Sequence, residues 1–553
     1  MAVFVGSNSD DSRIRSNRVG FAASTSNPGS ASEGDAYYNS GDSKLNVYDG
    51  SSWIALGGSA GTLQGTLSGS LSDGQPVIIK SDGNLAGVTT SQASESLGNR
   101  ITWLSAEAQD TDMTFDEKTG QVIIVYKASD DSDYATSLVG TVSGSSIGFG
   151  TASYIYPGDD GSGNKGQNFS ITMDTDAGRP VILYTGGTSS SSTSYIKSGF
   201  INGNRIIFSD ASISRTEVSN GGGSYNKVVY DSANKRIVAF YRDAQTSKGE
   251  ACVLRLNGEG FYTGESGTYG NPGTVDFSTG DPSWISACYD SDNEKVIIAF
   301  SEGGNSNYGT AIVGTVDPVN FTIRFGTPTV FNSADSDRIK CVYDTNAKKV
   351  VIVYQDQGNS SKLTCSVGTV SGDTISFGSK VVVDNNGGSS RLAALYHPLA
   401  KKVMVLYRET YDSNHGWLAV GSVSGTSALF AIQEINASSV DDTAMVYDPN
   451  SKKVLLSMRD FGNSQYGTIR LYNPDYADSN VTSDNFIGFS AGAYTNGQTA
   501  SVQIEGTIDD AQTGLTTSKT HYVQNNGTLS TDKDFPVVEA GTAISGTKIA
   551  VKG

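Results

Sequence analysis

Arginine, aspartate and aromatic side chains gather where a series of apolar segments end, and together they could bind a sugar. Aromatic rings stack on sugar faces, while guanidinium and carboxylate groups hydrogen-bond the hydroxyls. A single aromatic side chain could instead pack between neighbouring segments, so the prediction concerns the set as a whole. The candidate ligand-binding residues are Arg242, Asp243, Trp284, Tyr308, Arg338, Asp356, Arg391, Arg408, Tyr411, His415, Trp417, Arg459, Asp460 and Tyr466.

Residues for catalysis are sparse in this sequence. The chain has 3 histidines, and none stands in the pattern of a Ser/His/Asp triad or of an HExxH zinc site. The turn Asp174–Gly178 resembles the Asp-box of sialidases but lacks its aromatic residue, so we interpret it as an Asx turn. The pairs Asp130-Asp131 and Asp159-Asp160 could serve glycoside hydrolysis, although a solvated loop is the simpler interpretation. We therefore predict no enzyme and keep a polysaccharide-degrading enzyme as an alternative.

The sequence predicts no metal ion or other cofactor. Asp/Gly loops could hold calcium, because hard cations prefer clustered oxygen ligands, but no EF-hand-like spacing is present. We keep calcium as the alternative. The cysteines lie inside apolar runs without zinc spacing, and we expect them to be buried small hydrophobic residues: they are Cys252, Cys288, Cys341 and Cys365.

One β-hairpin recurs seven times and must position the candidate residues. In Ile339–Asp356, two runs rich in Val, Ile and Tyr flank a polar turn that starts at Asp344. The equivalent turn residue stands at positions 116, 174, 231, 290, 344, 397 and 448. A repeat of about 50 to 60 residues is typical of a four-stranded propeller blade.

Each repeat contains four predicted strands. In the fifth they are Ile339–Tyr343, Lys349–Tyr354, Leu363–Val370 and Thr374–Val383, which we call a to d. The seventh repeat lacks strand d, and an unassigned strand, Ile101–Ala106, precedes the first. We predict that this strand completes the last blade, because closure removes an exposed sheet edge. An open array of β-sandwiches, the alternative, leaves both ends unexplained.

The fold class predicted is therefore all-β, a seven-bladed β-propeller of four-stranded blades over residues 99–475. In such a blade the b–c and d–a loops share one face. The a–b turns are uniform in sequence, which favours a structural role, whereas the b–c loops differ from blade to blade. The candidate ligand-binding residues stand in those variable loops or just before strand a.

Length, charge and hydropathy limit the partners. The chain has 553 residues, which suits a repeat array with flanking modules. A net charge of −18 makes nucleic acid an unsuitable partner. No apolar run approaches the roughly 18 residues of a membrane helix, so we expect no membrane insertion. The first residues do not resemble a signal peptide, so we expect synthesis in a host cytoplasm outside the secretory route.

The two ends predict small β modules, at residues 1–57, 58–98 and 476–553. Gly34–Asn39 together with Lys44–Trp53 resembles a hairpin common in bacteriophage tail-fibre and other virion proteins. The segment Gly514–Ser545 is similar to modules in structural proteins of marine tailed phages. The resemblance implies a virion location on the tail, other virion proteins as partners, and often a homotrimer.

These observations together lead to one functional expectation. We expect a virion structural protein, a tail-fibre or receptor-binding component whose propeller face contacts a host surface polysaccharide. One alternative is a head decoration or spike protein without a specific receptor. The polysaccharide-degrading enzyme is the other.

Overall fold

The computed structural model describes residues 23–24, 29–30, 32, 36–39, 44–48, 51–56, 61–128, 134–155, 166–186, 193–208, 215–219, 223–258, 260–263 and 273–552. The chain divides into two units, Ala93–Tyr476 and the combination of Met1–Gln92 with Ala477–Gly553. The described residues form strands and three short 3-10 helices, Gly303–Asn305, Gln357–Asn359 and Phe461–Asn463. None of the described helices is long and apolar enough to cross a membrane.

The unit Ala93–Tyr476 consists of seven consecutive antiparallel sheets, which we number blades 1 to 7. Strands a of neighbouring blades contact one another in a closed series, so they are the innermost strands of a ring. In four blades strand a is a separate strand, at Gln167–Asp174, Gly223–Asp231, Pro282–Asp290 and Ser389–His397. In blades 1, 5 and 7 it is the second part of a longer strand, Ile101–Asp116, Thr329–Asp344 and Ser427–Asp448.

Strands b and c follow in every blade with direct antiparallel pairing. Strands b are Gln121–Ala128, Arg179–Gly186, Arg236–Asp243, Lys295–Glu302, Lys349–Asp356, Lys402–Glu409 and Lys453–Asp460. Strands c are Ala135–Ser143, Thr193–Asn202, Lys248–Asn257, Tyr308–Asp317, Lys362–Ser371, His415–Ser424 and Tyr466–Asn473.

Strand d is the least regular strand of the blade. It is interrupted in blades 1, 2, 3 and 5, as Ser146–Phe149 with Ser153–Tyr154, Arg205–Phe208 with Arg215–Glu217, Gly260–Tyr262 with Thr274–Asp276, and Thr374–Phe377 with Val381–Val382. In blades 4, 6 and 7, strand d is the first part of the long strand whose second part is strand a of the next blade in the ring. Thr322–Phe325 also pairs with strand c in blade 4, and Ser96–Leu97 does so in blade 7. The continuous strand d predicted over Thr374–Val383 is thus two strands.

Alternate side chains of strand b point to opposite faces of the blade, and this explains how neighbouring blades pack together. Val350, Ile352 and Tyr354 point to blade 4, whereas Val351 and Val353 point to blade 6. Because successive side chains in a strand face opposite sides, a run of apolar residues buries both faces of a blade. Seven buried apolar clusters result, each shared by two neighbouring blades, and together they include every interface of the ring.

Ring closure follows the sequence prediction. The first part of Ile101–Asp116 pairs with strand c of blade 7, with Ile101 opposite Ile469 and Thr102 opposite Thr468. Trp103, from this closing strand, packs edge-on against Tyr126 of blade 1 with ring centroids 4.9 Å apart. The N-terminal strand therefore provides strand d of the last blade, and the edge of Tyr466–Asn473 is covered.

The uniform a–b turns have a structural role. Asp344 accepts hydrogen bonds from the backbone amides of Asn346 (2.9 Å) and Ala347 (2.8 Å). His397, which replaces the aspartate in blade 6, accepts one from the Ala400 amide at 3.1 Å. The residue before strand b takes a left-handed conformation, such as Lys348 with φ 55°. These residues close hairpins and are not free to bind a ligand.

The flanking segments correct the domain prediction. Residues 61–92 and 477–552, predicted as separate modules, belong to one unit and share a five-stranded sheet. Its strands, in spatial order, are Thr62–Thr66, Thr499–Gln503, Phe486–Ser490, Pro76–Ile79 and Leu85–Gly87. Val77, Val502 and Ala500 are fully buried there. Neither segment alone could cover these side chains, and the pairing across about 400 residues buries them.

The remaining strands of this unit form two further sheets. Ile508–Asp509, Lys548–Val551, Glu539–Ser545, Thr520–Val523 and Leu529–Ser530 build one of them. The N-terminal sheet contains the predicted hairpin, with strands Ala23–Ser24, Ala36–Asn39, Lys44–Tyr48 and Trp53–Leu56. Thr90–Ala93 and Tyr476–Ser479 are strands at the unit boundaries.

Candidate ligand-binding site

Each innermost strand contains a β-bulge at the same place. The pairing of strand a with strand b shifts register once per blade, for example between Asp337 and Lys340. One residue of each bulge has a positive φ of 45° to 56°, and it stands six positions before the first residue of the a–b turn. These seven bulge residues are Asp110, Asn168, Tyr225, Trp284, Arg338, Arg391 and Asp442.

The residue types at the bulges are informative because a positive φ is costly for most side chains. Asn and Asp tolerate the left-handed region, and they occupy it in blades 1, 2 and 7. Blades 3 to 6 instead carry Tyr225, Trp284, Arg338 and Arg391, which have no such preference. Backbone strain of this kind clusters at functional sites. The conformational preferences of these four side chains do not explain why they stand at four successive bulges.

The bulge residues surround one pocket, which we call the axial pocket. It has a volume of about 220 Å³, which is smaller than the roughly 300–1,000 Å³ of pockets for drug-sized ligands. The axial pocket is therefore large enough only for a group smaller than a drug-sized molecule. The lining comes from all seven blades, as Asp110, Thr111, Asn168, Phe169, Tyr225, Asn226, Trp284, Ile285, Arg338, Ile339, Lys340, Arg391, Leu392, Asp442 and Thr443.

Aromatic rings and a guanidinium group pack together on one side of the axial pocket. The Tyr225 and Trp284 rings meet at 61° with centroids 5.4 Å apart. The Arg338 guanidinium lies 4.1 Å from the centroid of the Trp284 ring. Trp284 Nε1 donates to Asp337 Oδ1 at 2.7 Å, which fixes the indole. Arg338 Nε is buried without a hydrogen-bond partner among the described residues, and burial lowers the pKa of this side chain.

Arg391 differs from Arg338 because a buried carboxylate pairs with it. Arg391 forms an ion pair with Asp441, whose side chain is only 8% exposed. Arg459 reaches the same carboxylate at 2.6 Å, and Arg408 lies 3.7 Å from it. Three arginines thus share one buried aspartate. Arg338 has no ion pair in the described part of the chain, so its charge remains available to an anionic ligand.

Acidic groups occupy the opposite side of the axial pocket. Burial raises the pKa of Asp110. Burial, and next the neighbouring Asp441 carboxylate, raises the pKa of Asp442 to about 6, although Arg459 acts in the opposite direction. Lys340 also lines the pocket, and burial lowers its pKa to about 8. The pocket therefore combines a cationic aromatic side with carboxyl groups that can accept hydrogen bonds from hydroxyls.

Replacing Asp442 by asparagine is expected to change how stability depends on pH. An unfolded aspartate has a pKa of about 3.9, so the folded state binds this proton more tightly. The carboxyl group favours the folded state most below pH 4 and loses that contribution as pH rises through 6. Relative to the wild type, Asp442→Asn should gain up to about 3 kcal/mol in free energy of unfolding between pH 4 and pH 7.5. Urea titrations at the two pH values measure this difference.

Asp317→Asn is the matched control for that experiment. Backbone hydrogen bonding from Asn320 lowers the pKa of Asp317, so its contribution is present above the unfolded pKa and lost on acidification. The control should therefore change in the opposite direction, becoming less stable than the wild type at pH 7.5. A pH-independent difference for Asp442→Asn would show that this carboxyl group has an ordinary pKa.

Three predicted ligand carboxylates are corrected by the structure. Asp243, Asp356 and Asp460 end strand b, and their side chains are buried. Asp356 Oδ1 accepts from the Gly358 amide at 3.1 Å, and Asp460 Oδ1 from the Gly462 amide at 2.9 Å. Asp243 Oδ1 accepts from the Gln245 amide at 2.8 Å. An acid at the end of a strand caps the following turn here and is not exposed to a ligand.

The other predicted residues lie at different distances from the axial pocket. Trp284, Arg338 and Arg391 line it, within strand a and not before it as predicted. Arg408 and Arg459 adjoin it through Asp441. The remaining predicted residues do not line the axial pocket. Arg242 pairs with Asp281, and Tyr411 is 74% exposed. Tyr308 and Tyr466 are half-buried at the starts of strands c, and His415 and Trp417 lie beside Asp412.

Sequence reasoning missed the rest of the pocket, above all Tyr225, Asp110, Asp442 and Lys340. A signal for three of them was available, because they share the fixed distance of six residues from the a–b turn. The pairs Asp130-Asp131 and Asp159-Asp160 lie outside the described residues. Asp174 Oδ1 accepts from the Ala177 amide at 2.9 Å, three residues on, so this side chain closes the a–b turn of blade 2. All four cysteines are buried, as predicted.

Comparison with known proteins identifies no family. No family model matches the chain, and no curated protein matches it. A protein of unknown function from Dyadobacter fermentans is 11% identical, with a TM-score of 0.41, over 70% of this chain and 99% of that chain. The Dos1 propeller is 9% identical, with a TM-score of 0.40, over 68% and 95%. The SapL1 lectin, solved with alpha methyl fucoside, is 13% identical, with a TM-score of 0.34, over 56% and 94%. The strand pairings of this chain themselves define the propeller.

Proposed function

We propose that this chain is a receptor-binding structural protein of a phage virion, and that its axial pocket binds an acidic sugar of a host surface polysaccharide. The observation that carries the binding role is the row of Tyr225, Trp284, Arg338 and Arg391 in left-handed conformations at consecutive bulges. The rings offer a stacking surface, and the unpaired guanidinium of Arg338 offers a partner for a carboxylate. Asp110 and Asp442 can accept hydrogen bonds from the sugar hydroxyls across the pocket.

The virion location is supported by the terminal segments. Gly34–Asn39 with Lys44–Trp53, and Gly514–Ser545, resemble segments of phage tail-fibre and virion proteins. In this proposal the unit that contains them attaches to other virion proteins or to further copies of the chain, in a homotrimer. Electron microscopy of phage particles that carry a tagged copy tests the location. Label on the tail supports the proposal, and label on the head would replace it with the decoration-protein alternative.

Binding of an acidic sugar is tested on a glycan array. The wild-type chain should bind glycans with uronic or other carboxylated sugars in preference to their neutral counterparts. Trp284→Ala removes the stacking surface, so binding should weaken by at least about tenfold. Trp417→Ala is the matched control, because Trp417 lies on the same blade face but does not line the axial pocket.

The pattern across the two tryptophan variants decides between sites. Loss in Trp284→Ala with retention in Trp417→Ala places the ligand in the axial pocket. The reverse pattern would place it at the blade 6 loop and overturn the pocket assignment. Release of reducing ends from the bound polysaccharide would favour the enzyme alternative.

A further inference from the structure

We propose that blade 6 contains a binding site for a divalent transition-metal ion such as Zn²⁺, formed by Asp412, His415 and Glu434. These three residues offer a carboxylate oxygen, an imidazole nitrogen and a second carboxylate oxygen within 4.8 Å of one another. His415 Nδ1 lies 2.8 Å from Glu434 Oε1 and 3.5 Å from Asp412 Oδ2. Among the described residues this is the single cluster of that kind. It contributes nothing to the axial pocket, so the proposal is independent of the sugar ligand.

The local backbone brings the three side chains together. Asp412 stands in the b–c turn, where Ser413 and Asn414 take left-handed conformations with φ 52° and 64°. The His415 amide donates to the Asp412 carbonyl at 2.8 Å and starts strand c. Glu434 arrives from strand d, where it pairs with Trp417, two residues along the strand from His415. Two hairpins of one blade therefore bring the three residues side by side.

The ligand set and spacing suit zinc. Zn–N and Zn–O bonds of about 2.0 to 2.2 Å in a tetrahedron put neighbouring ligand atoms about 3.3 Å apart. The observed distances of 2.8 and 3.5 Å lie on either side of that value. One imidazole with two carboxylates favours a transition-metal ion over calcium, which takes six to eight oxygens. Three protein ligands leave a fourth position for water or a ligand group.

Electrostatics supports a cation here. Neither Asp412 nor Glu434 has an ion pair with lysine or arginine in the described part of the chain, and both face the same imidazole. Two carboxylates beside a single imidazole carry more negative charge than that one ring can balance. Trp417 Nε1 donates to Asp412 Oδ2 at 3.1 Å, the kind of outer contact that orients a metal ligand.

The other blades show that the fold does not require this cluster. The first residue of strand c, opposite the last residue of strand b, is histidine in blade 6 alone among blades 3 to 7. Its counterparts are Lys248, Tyr308, Lys362 and Tyr466. Among these five blades, histidine therefore occurs at this position only in blade 6. This is expected for a residue of a binding site and not for one that the repeat requires.

Calorimetric titration of the chelator-treated full chain with ZnCl₂ at pH 7.5 tests the proposal. The wild type should bind one Zn²⁺ that is lost in His415→Ala and in Glu434→Gln, and CaCl₂ should not compete. Trp417→Phe keeps an aromatic ring but removes the N–H donor to Asp412, so affinity should fall about 10- to 100-fold. Asp510→Asn, which removes an exposed carboxylate in the other unit, should leave the titration unchanged.

Two results would overturn the proposal. One is a wild-type chain that takes up no Zn²⁺ at millimolar metal, which would leave the cluster as a histidine–carboxylate contact. The other is a folded His415→Ala chain that binds Zn²⁺ with the affinity of the wild type. Because His415→Ala could affect folding, Co²⁺ is a second probe: the wild-type complex should show tetrahedral absorption bands, and their absence would count against this coordination.

Discussion

Replacing Trp103 by alanine is expected to lower the free energy of unfolding of the propeller by about 3 to 5 kcal/mol, the range for a large aromatic side chain removed from a core. Trp103 is 7% exposed and belongs to the cluster that joins blade 7 to blade 1. A Cβ on Gly467 would lie only 2.6 Å from Trp103 Cε2, so the indole packs directly on strand c of blade 7. Urea unfolding followed by far-UV circular dichroism measures the effect.

This variant tests ring closure because Trp103 precedes its blade partners by more than 350 residues. Phe331 packs over Gly309 in blade 4 as Trp103 packs over Gly467 in blade 7. In blade 4, however, the strand that carries the aromatic residue follows strand c directly in the sequence. Leu429→Ala is the control, since Leu429 is 81% exposed on strand d of blade 6 and should change stability by less than about 0.5 kcal/mol. If Trp103→Ala changed the free energy of unfolding as little as the control does, the ring would be open between blades 7 and 1 in solution.

The repeat made the propeller predictable. A strand buried on both faces is apolar along its length, and seven copies of the Lys349–Asp356 pattern gave both the strand type and the blade count. Closure was predictable because a missing strand and a spare strand stood at opposite ends of the array. The joining of residues 61–92 to 477–552 was not. Pairings such as Thr66 with Thr499 depend on tertiary contacts between distant segments, and short polar strands carry no local mark of their partner.

The candidate site was predictable only in part. Trp284, Arg338 and Arg391 were found because aromatic and arginine side chains are conspicuous beside an apolar strand. Tyr225 and Asp442 occupy the same bulge position, but nothing in a single repeat shows that a bulge turns this residue inward. Asp356 was predicted to face a ligand. An acid at the end of a strand can either cap the following turn or face solvent, and only its burial in the folded chain distinguishes the two.

The metal cluster depends on register, which sequence does not give. His415 and Glu434 are separated by the whole c–d hairpin, and the pairing shifts twice near His415 and Gly416. A shift of one residue would turn Glu434 to the other face of the blade. The sequence prediction that no metal is bound followed from searching for short-range spacing, whereas these ligands meet across two strands.

Arg338→Ala is expected to weaken binding of an acidic sugar by roughly 10- to 100-fold. A hydrogen-bonded contact to a charged group contributes about 1.5 to 3 kcal/mol, and each 1.4 kcal/mol is a factor of ten in affinity. Arg338 carries this expectation because it lines the axial pocket, stacks on Trp284 and has no ion pair in the described chain. Arg338→Lys keeps the charge but loses the planar group, so it should recover only part of the affinity. Calorimetric titration with the best acidic glycan from the array measures both variants.

The carboxylate contact is isolated by repeating the titrations with a carboxyl-reduced form of the same glycan. If Arg338 acts on the carboxylate, reduction should weaken wild-type binding strongly and Arg338→Ala binding hardly further, so the two changes are not additive. Arg324→Ala is the matched control, because Arg324 is 66% exposed, pairs with Asp373 and does not line the pocket. Equal losses for the acidic and the reduced glycan in Arg338→Ala would mean that this arginine only holds the Trp284 ring in place. Unchanged affinity for both would remove Arg338 from the binding site and leave the two aromatic rings as its main contact.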